Sequence, residues 1–220
     1  MTTESDKVKL SIADVAERAP ADFRQLLGRL HARYRTSDFA SALALVDRIG
    51  EAAEAADHHP DLALQWGRVD VALSSHDVGG LTERDIRLAT TIAALAAEAG
   101  ATPDADSLQA LELGLDTADA AEVRPFWAAL LGYRLTDGDT ELEDPHGVSP
   151  TLWFQDTDAH DTPRQRLHVD VWVPMGQGEA RVQAVLDAGG TLVDDSHAPG
   201  FWVLADAQGN RACVCTVAEH

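Results

Sequence analysis

One proline constrains this chain more than any other residue. Ahead of it, Phe39, Ala42, Leu43, Val46, Ile49, Ala53 and Ala56 recur at a helical period, with Ser37 or Asp38 as the cap. Pro60 stops that helix, because its ring pushes His59 out of the α region. Beyond it the period changes. Leu62 and Leu64, then Val69, Val71 and Leu73, alternate with polar neighbours as half-buried strands do. Gly79-Gly80 breaks the chain again, and Thr82 caps a last helix whose Ile86, Ala89, Ile92, Ala93, Leu95 and Ala96 face a core. Upstream, Ser11 caps a short helix that Pro20 ends, and Phe23 to Leu27 and Leu30 to Tyr34 flank Gly28 as a hairpin. The order is α-β-β-α-β-β-α, an α+β sandwich with helices on one face of a sheet.

Chemistry collects around the corner that Pro60 makes. Glu54, His58, His59, Trp66, His76 and Asp85 fall within about thirty residues. Glu54 stands one helical turn before His58, so the two share a face of the helix end. His76 comes from the end of a strand and Asp85 opens a helix, so residues of three elements can converge on one pocket. Imidazoles move protons near neutral pH, and carboxylates orient them. A lone strand histidine is more commonly a surface or satisfied core residue. Zinc fits poorly, since the adjacent pair lacks the usual ligand spacing on a helix. Acid–base work is the favoured reading.

The pattern E-x3-H-H-P, an aromatic, a strand histidine and an aspartate after Gly-Leu-Thr resembles the pterin-4a-carbinolamine dehydratase family. The resemblance runs from Ser11 to Ala99 and is most specific over Ser75-His76-Asp77-Val78-Gly79-Gly80-Leu81-Thr82-Glu83-Arg84-Asp85. It departs at Ala21-Asp22-Phe23, where many members carry a tryptophan. It implies dehydration of a 4a-hydroxytetrahydropterin to the quinonoid dihydropterin, with no metal or organic cofactor required. His58 and His76 would be the acid/base pair, and His59 would shape the pterin pocket. Glu54 and Asp85 would orient the imidazoles, and Trp66 would form part of the wall. The resemblance also implies a homo-oligomer. Some animal members act as transcriptional coactivators, which is the non-catalytic alternative.

Residues 101–108 are expected to link a domain of residues 1–100 to one of 109–220. In the second, Leu111, Leu113 and Leu115 lead into a helix around Ala120 to Leu131, and Leu167, Val169 and Val171 into one around Glu179 to Ala188. Asp144-Pro145-His146-Gly147 is echoed by Asp206-Ala207-Gln208-Gly209. Each copy reads βαβββ over about fifty residues. Paired modules of this kind resemble the vicinal oxygen chelate superfamily of glyoxalase-like proteins. The carriers are residues 126–133, Leu167-His168-Val169-Asp170 and Asp206-Ala207-Gln208-Gly209-Asn210. Metal-using members take ligands from the first and last strand of each module. The candidates here are His168, Glu112 and Cys213, with two positions lost, so cavity lining is favoured over a divalent metal. The alternative function is a metal-dependent glyoxalase- or dioxygenase-type activity of this half.

Charge narrows the partners. The net charge is −20, with 11 basic against 17 acidic residues through Asp104 and 6 against 20 after it. An acidic chain is poorly suited to nucleic acid or anionic membranes. No apolar run reaches the roughly 18 residues that a membrane span needs, and the polar start lacks a signal-peptide core. Cys213 and Cys215 at i, i+2 point in parallel, which is poor disulfide geometry. A reduced, cytoplasmic protein is expected.

Overall fold

The structure, a computed structural model, describes residues 4–108, 110–136, 140–159, 169–173 and 177–216. The chain divides into two units, Met1–Ala110 and Leu111–His220.

In the first unit, α1 (Ile12–Arg18) is held by a capping box in which Ser11 and Asp14 exchange side-chain and backbone hydrogen bonds. A hairpin of β1 (Phe23–Leu26) and β2 (Arg29–Arg35) follows. Then come α2 (Phe39–Ala56), β3 (Asp61–Gln65), β4 (Arg68–Leu73) and α3 (Glu83–Glu98). The expected α-β-β-α-β-β-α order is observed. The antiparallel sheet runs β1-β2-β4-β3. Strand alternation sends Leu30, Ala32, Tyr34, Val69, Val71 and Leu73 inward, where they share one core with Ala42, Leu45, Ile49 and Ala53 of α2 and Ile86, Ala89 and Ile92 of α3. Each large aliphatic side chain buried there contributes about 1.5–3 kcal/mol.

Two details differ from the sequence reading. The buried stripe of α2 passes through Leu45, while Phe39 and Leu43 are 46% and 43% exposed. Ala42, Leu45, Ile49 and Ala53 lie at i, i+3, i+7 and i+11, a spacing that tracks the sheet as closely as the expected one. At Ala21-Asp22-Phe23, Phe23 fills the core and the Asp22 carboxylate accepts the buried Tyr34 hydroxyl at 3.2 Å. Burial and that carboxylate together push the Tyr34 phenol up.

The outward face of β2 alternates Arg29, His31, Arg33 and Arg35. Arg33 forks onto Asp70 (2.7 and 3.2 Å), and Arg35 meets Asp104 at 2.6 Å. Burial, with Arg29 alongside, lowers the His31 imidazole.

Residues 101–108, expected as a linker, are built into this unit. Thr102–Pro103 forms β5 on the edge of β2, and Arg33 also reaches the Ser107 hydroxyl at 3.0 Å. The polar composition resembles a linker, but these polar groups answer the β2 arginines, and Pro103 sits on an edge where a missing N–H is tolerated.

The second unit shows the repeat directly. Its first module is β6 (Leu113–Thr117), α4 (Ala120–Leu131), β7 (Arg134–Leu135), β8 (Glu141–Glu143) and β9 (Leu152–Asp156). The second is β10 (Val169–Trp172), α5 (Gly178–Asp187), β11 (Thr191–Asp194), β12 (Phe201–Ala205) and β13 (Arg211–Cys215). The sheets order as β6-β9-β8-β7 and β10-β13-β12-β11, with first and last strands parallel in each. Gly132 ends α4 in the left-handed region (φ 71°), where a side chain would be strained.

The two D-x-x-G turns have a structural role. Asp144 accepts the backbone N–H groups of His146, Val148 and Ser149 at 2.8–3.0 Å. Asp206, 4% exposed, accepts those of Gln208 and Asn210, the Asn210 amide and the Trp127 indole N–H. That last bond ties the helix of one module to the hairpin of the other.

Candidate active site

The end of α2 decides where the adjacent histidines go. Asp57 caps the helix in the left-handed conformation (φ 49°, ψ 42°), with its N–H returning to the Ala53 and Glu54 carbonyls. Asp tolerates this region better than most residues. The reversal turns His58 inward, 7% exposed, and leaves His59 outside. His58 Nε2 lies 2.8 Å from Asp85 Oδ1, and His59 Nε2 lies 3.0 Å from Glu54 Oε1. The expected partner of His58 on the helix is therefore corrected. Glu54 faces His59 because the chain leaves helical geometry at Asp57, before the i, i+4 relation to His58 is complete.

Asp85 is fully buried, and both of its carboxylate oxygens are hydrogen-bonded. Oδ2 accepts the Ser75 hydroxyl at 2.7 Å and the Thr82 N–H at 2.8 Å, with the Thr82 hydroxyl at 3.3 Å. The Thr82–Asp85 pair is also the capping box of α3. Burial pushes the Asp85 carboxyl up, but His58, the Thr82 N–H and Ser75 together outweigh it and hold the group below the ordinary carboxylate value. An ionised Asp85 is an acceptor, so Nε2 of His58 carries the proton of this contact and Nδ1 is the ring nitrogen outside it.

His76 sits in the turn that follows β4, three residues past the strand, and is exposed. Ser75 closes that turn through its N–H to Gly80 O (2.9 Å) and its carbonyl to the Val78 and Gly79 N–H groups (3.0 Å each). Asp77 is clamped by Arg84 at 2.6 Å, and Lys9 Nζ reaches Gly79 O at 2.9 Å. Trp66, expected in the pocket wall, occupies the β3–β4 hairpin tip, 75% exposed. Five strand residues, roughly 16 Å, separate that tip from the His58 end of β3.

A cavity of about 240 Å³ lies between α2 and α3, with His58, Arg84, Arg87 and Thr91 around it and Ala52, Ala56 and Leu88 as its apolar part. Sequence reasoning missed Ser75, Thr82 and these arginines as parts of the site. The T-x-x-D spacing of a capping box was the available signal for Thr82.

The second unit tests the metal candidates. Strand register sets Cys213 opposite Asp170. Burial and Asp170 push the Cys213 thiol up to about 12, so it is protonated at neutral pH, whereas a metal ligand must be the thiolate. Glu112 is exposed ahead of β6. His168 lies outside the described residues. Among the described residues no three His, Cys, Asp or Glu side chains stand together as a group that could hold a metal ion.

Comparison with known proteins finds a similarity for each half. The model described as pterin 4 alpha carbinolamine dehydratase matches residues 10–95, and a glyoxalase-like domain model matches residues 112–215. A relative in Thermosynechococcus vestitus, provisionally named a pterin-4-alpha-carbinolamine dehydratase, is 42% identical over 90 residues, covering 40% of this chain and 95% of its own. A transcriptional coactivator/pterin dehydratase from Brucella melitensis aligns over 40% of this chain and 99% of its own, at 29% identity and TM-score 0.39. A glyoxalase/bleomycin resistance protein/dioxygenase family enzyme from Burkholderia phytofirmans aligns over 49% and 97%, at 14% identity and TM-score 0.40. An α+β sandwich with a buried histidine–aspartate pair and a glyoxalase-like partner domain is the class that results. The chain belongs to the pterin-4a-carbinolamine dehydratase family. No described helix is long and apolar enough to cross a membrane.

Proposed function

We propose that the first unit dehydrates 4a-hydroxytetrahydropterins by histidine acid–base catalysis, without a metal or organic cofactor. The observation that carries this is the buried His58–Asp85 contact at 2.8 Å, within the family's motif. Loss of water requires a proton on the departing 4a-hydroxyl and removal of the proton from N5, as the N5 lone pair forms the C4a=N5 bond. In this reading His58 is the base. Its Nδ1 takes the N5 proton, and the Asp85 carboxylate stabilises the imidazolium that forms. His76, exposed in the turn after β4, is the acid that protonates the leaving hydroxyl. His59, held by Glu54, borders the pterin.

The second unit is read as a binding module rather than a metal enzyme. The whole chain is read as a homo-oligomer of a reducing cytoplasm, where Cys213 and Cys215 stay reduced. The test is the rate of quinonoid dihydropterin formation above the uncatalysed background. Wild-type protein should accelerate it, and His58→Ala and His76→Ala should each lower kcat by about a hundredfold or more. Wild-type rates in both variants would sink the assignment.

A further inference from the structure

The acid–base roles do not account for Ser75, a hydroxyl that is 1% exposed just past the end of β4. We propose that Ser75 is a positioning residue that holds the two candidate histidines to one reference point. It does so through its side chain on Asp85 and its backbone in the His76 turn. The inference rests on the dehydratase reading above.

A serine hydroxyl has one proton to give. At Ser75 it goes to Asp85 Oδ2 at 2.7 Å, so the 2.9 Å contact with Thr82 is made by the threonine hydroxyl donating to Ser75. Asp85 thus has one oxygen filled by the Ser75 hydroxyl and the Thr82 N–H, and the other facing His58. Thr82 stands on the same helix start as Asp85, so its bonds move with the carboxylate. Ser75 comes from a different element and fixes the rotation of that carboxylate, and with it the tilt of the His58 ring, relative to β4. The same residue's N–H and carbonyl close the turn at Gly80, Val78 and Gly79, and His76 is the first residue of that turn. Any movement at Ser75 is therefore passed to both imidazoles. A purely structural cap would touch one element, not both halves of a proton-transfer pair.

The experiment compares wild type, Ser75→Ala, Ser75→Cys and Ser75→Thr in full-length protein, reading kcat, KM, the pH profile of kcat and thermal unfolding. Loss of one hydrogen bond to a charged group predicts a kcat about tenfold lower in Ser75→Ala. KM should change little, and the acid limb should move to higher pH because Asp85 loses a donor that favours its ionised form. Ser75→Thr, which keeps the hydroxyl, should recover most of the rate. If Ser75→Ala does not fold, Ser75→Cys keeps the shape with a weak donor and should show the same loss. A folded Ala or Cys variant with wild-type kcat and an unmoved acid limb overturns the inference. An inactive wild type would instead sink the dehydratase reading. The Ser75 coupling is then judged by whether the His58 ring-nitrogen NMR signals shift in Ser75→Ala, and unmoved signals overturn it.

Discussion

Asp85 and Asp206 are near twins in surroundings and opposites in consequence. Each is a buried carboxylate, 0% and 4% exposed, that collects backbone and side-chain donors around a tight turn. Each reaches one ring N–H on another element, at 2.8 Å for His58 and 3.0 Å for Trp127. The imidazole has a second nitrogen that takes and returns protons, and it borders a cavity. The indole is a donor only. The same carboxylate physics therefore orients an imidazole in one unit and makes a joint between two modules in the other. A buried aspartate is not in itself evidence of catalysis.

That comparison is broken most directly by activity. Asp85→Ala should lower kcat of the folded protein by about a hundredfold, through a misoriented His58. Asp206→Ala should leave the dehydration rate alone. Equal activity losses in the dehydration assay would remove the distinction. Stability should sort the other way in the second unit. Asp206→Ala leaves the Trp127 indole and two backbone N–H groups without their acceptor, and should cost about 3 kcal/mol by denaturant unfolding monitored at tryptophan. A loss under 1 kcal/mol, about the net worth of one ordinary hydrogen bond, would mean that water replaces the carboxylate.

Acid sharpens the contrast further. Because the Asp85 carboxyl is held below its ordinary value in the fold, its ionised form contributes stability above the unfolded carboxylate pKa, about 3.9. That contribution is lost as the pH falls from there through the lowered folded value. An acid titration should show wild type losing stability below about pH 4, with Asp85→Asn lacking that component. Identical acid dependence in the two proteins would contradict the assigned direction. The smallest effect belongs to the outer pair. Glu54 and His59 side chains are 80% and 56% exposed, so Glu54→Gln should change stability by less than about 1 kcal/mol. A larger loss in thermal unfolding would show that the pair is braced by something beyond its own contact.

Residue pattern carried the architecture a long way. The helical period before Pro60, the alternation after it and the repeated Asp-x-x-Gly turns each report a local preference, and each appears where it was expected. Local pattern was weaker wherever two elements had equal claims. Leu43 and Leu45 both suit the α2 stripe, and only the sheet beneath selects Leu45. Residues 101–108 have linker composition, and only the fold pairs Thr102–Pro103 with β2 and sets Asp104 against Arg35.

The same division runs through the site. By itself the sequence determined that a helix must stop at Asp57-His58-His59-Pro60 and that Thr82 and Asp85 open the next one, because capping and proline sterics act within a few residues. Which histidine turns inward, which carboxylate it meets, and that Ser75 joins them depended on a left-handed Asp57 and on the packing of α2, α3 and β4. Those contacts join residues up to 27 positions apart. Only the folded chain brings such partners within hydrogen-bonding distance and excludes the water that would otherwise compete for them.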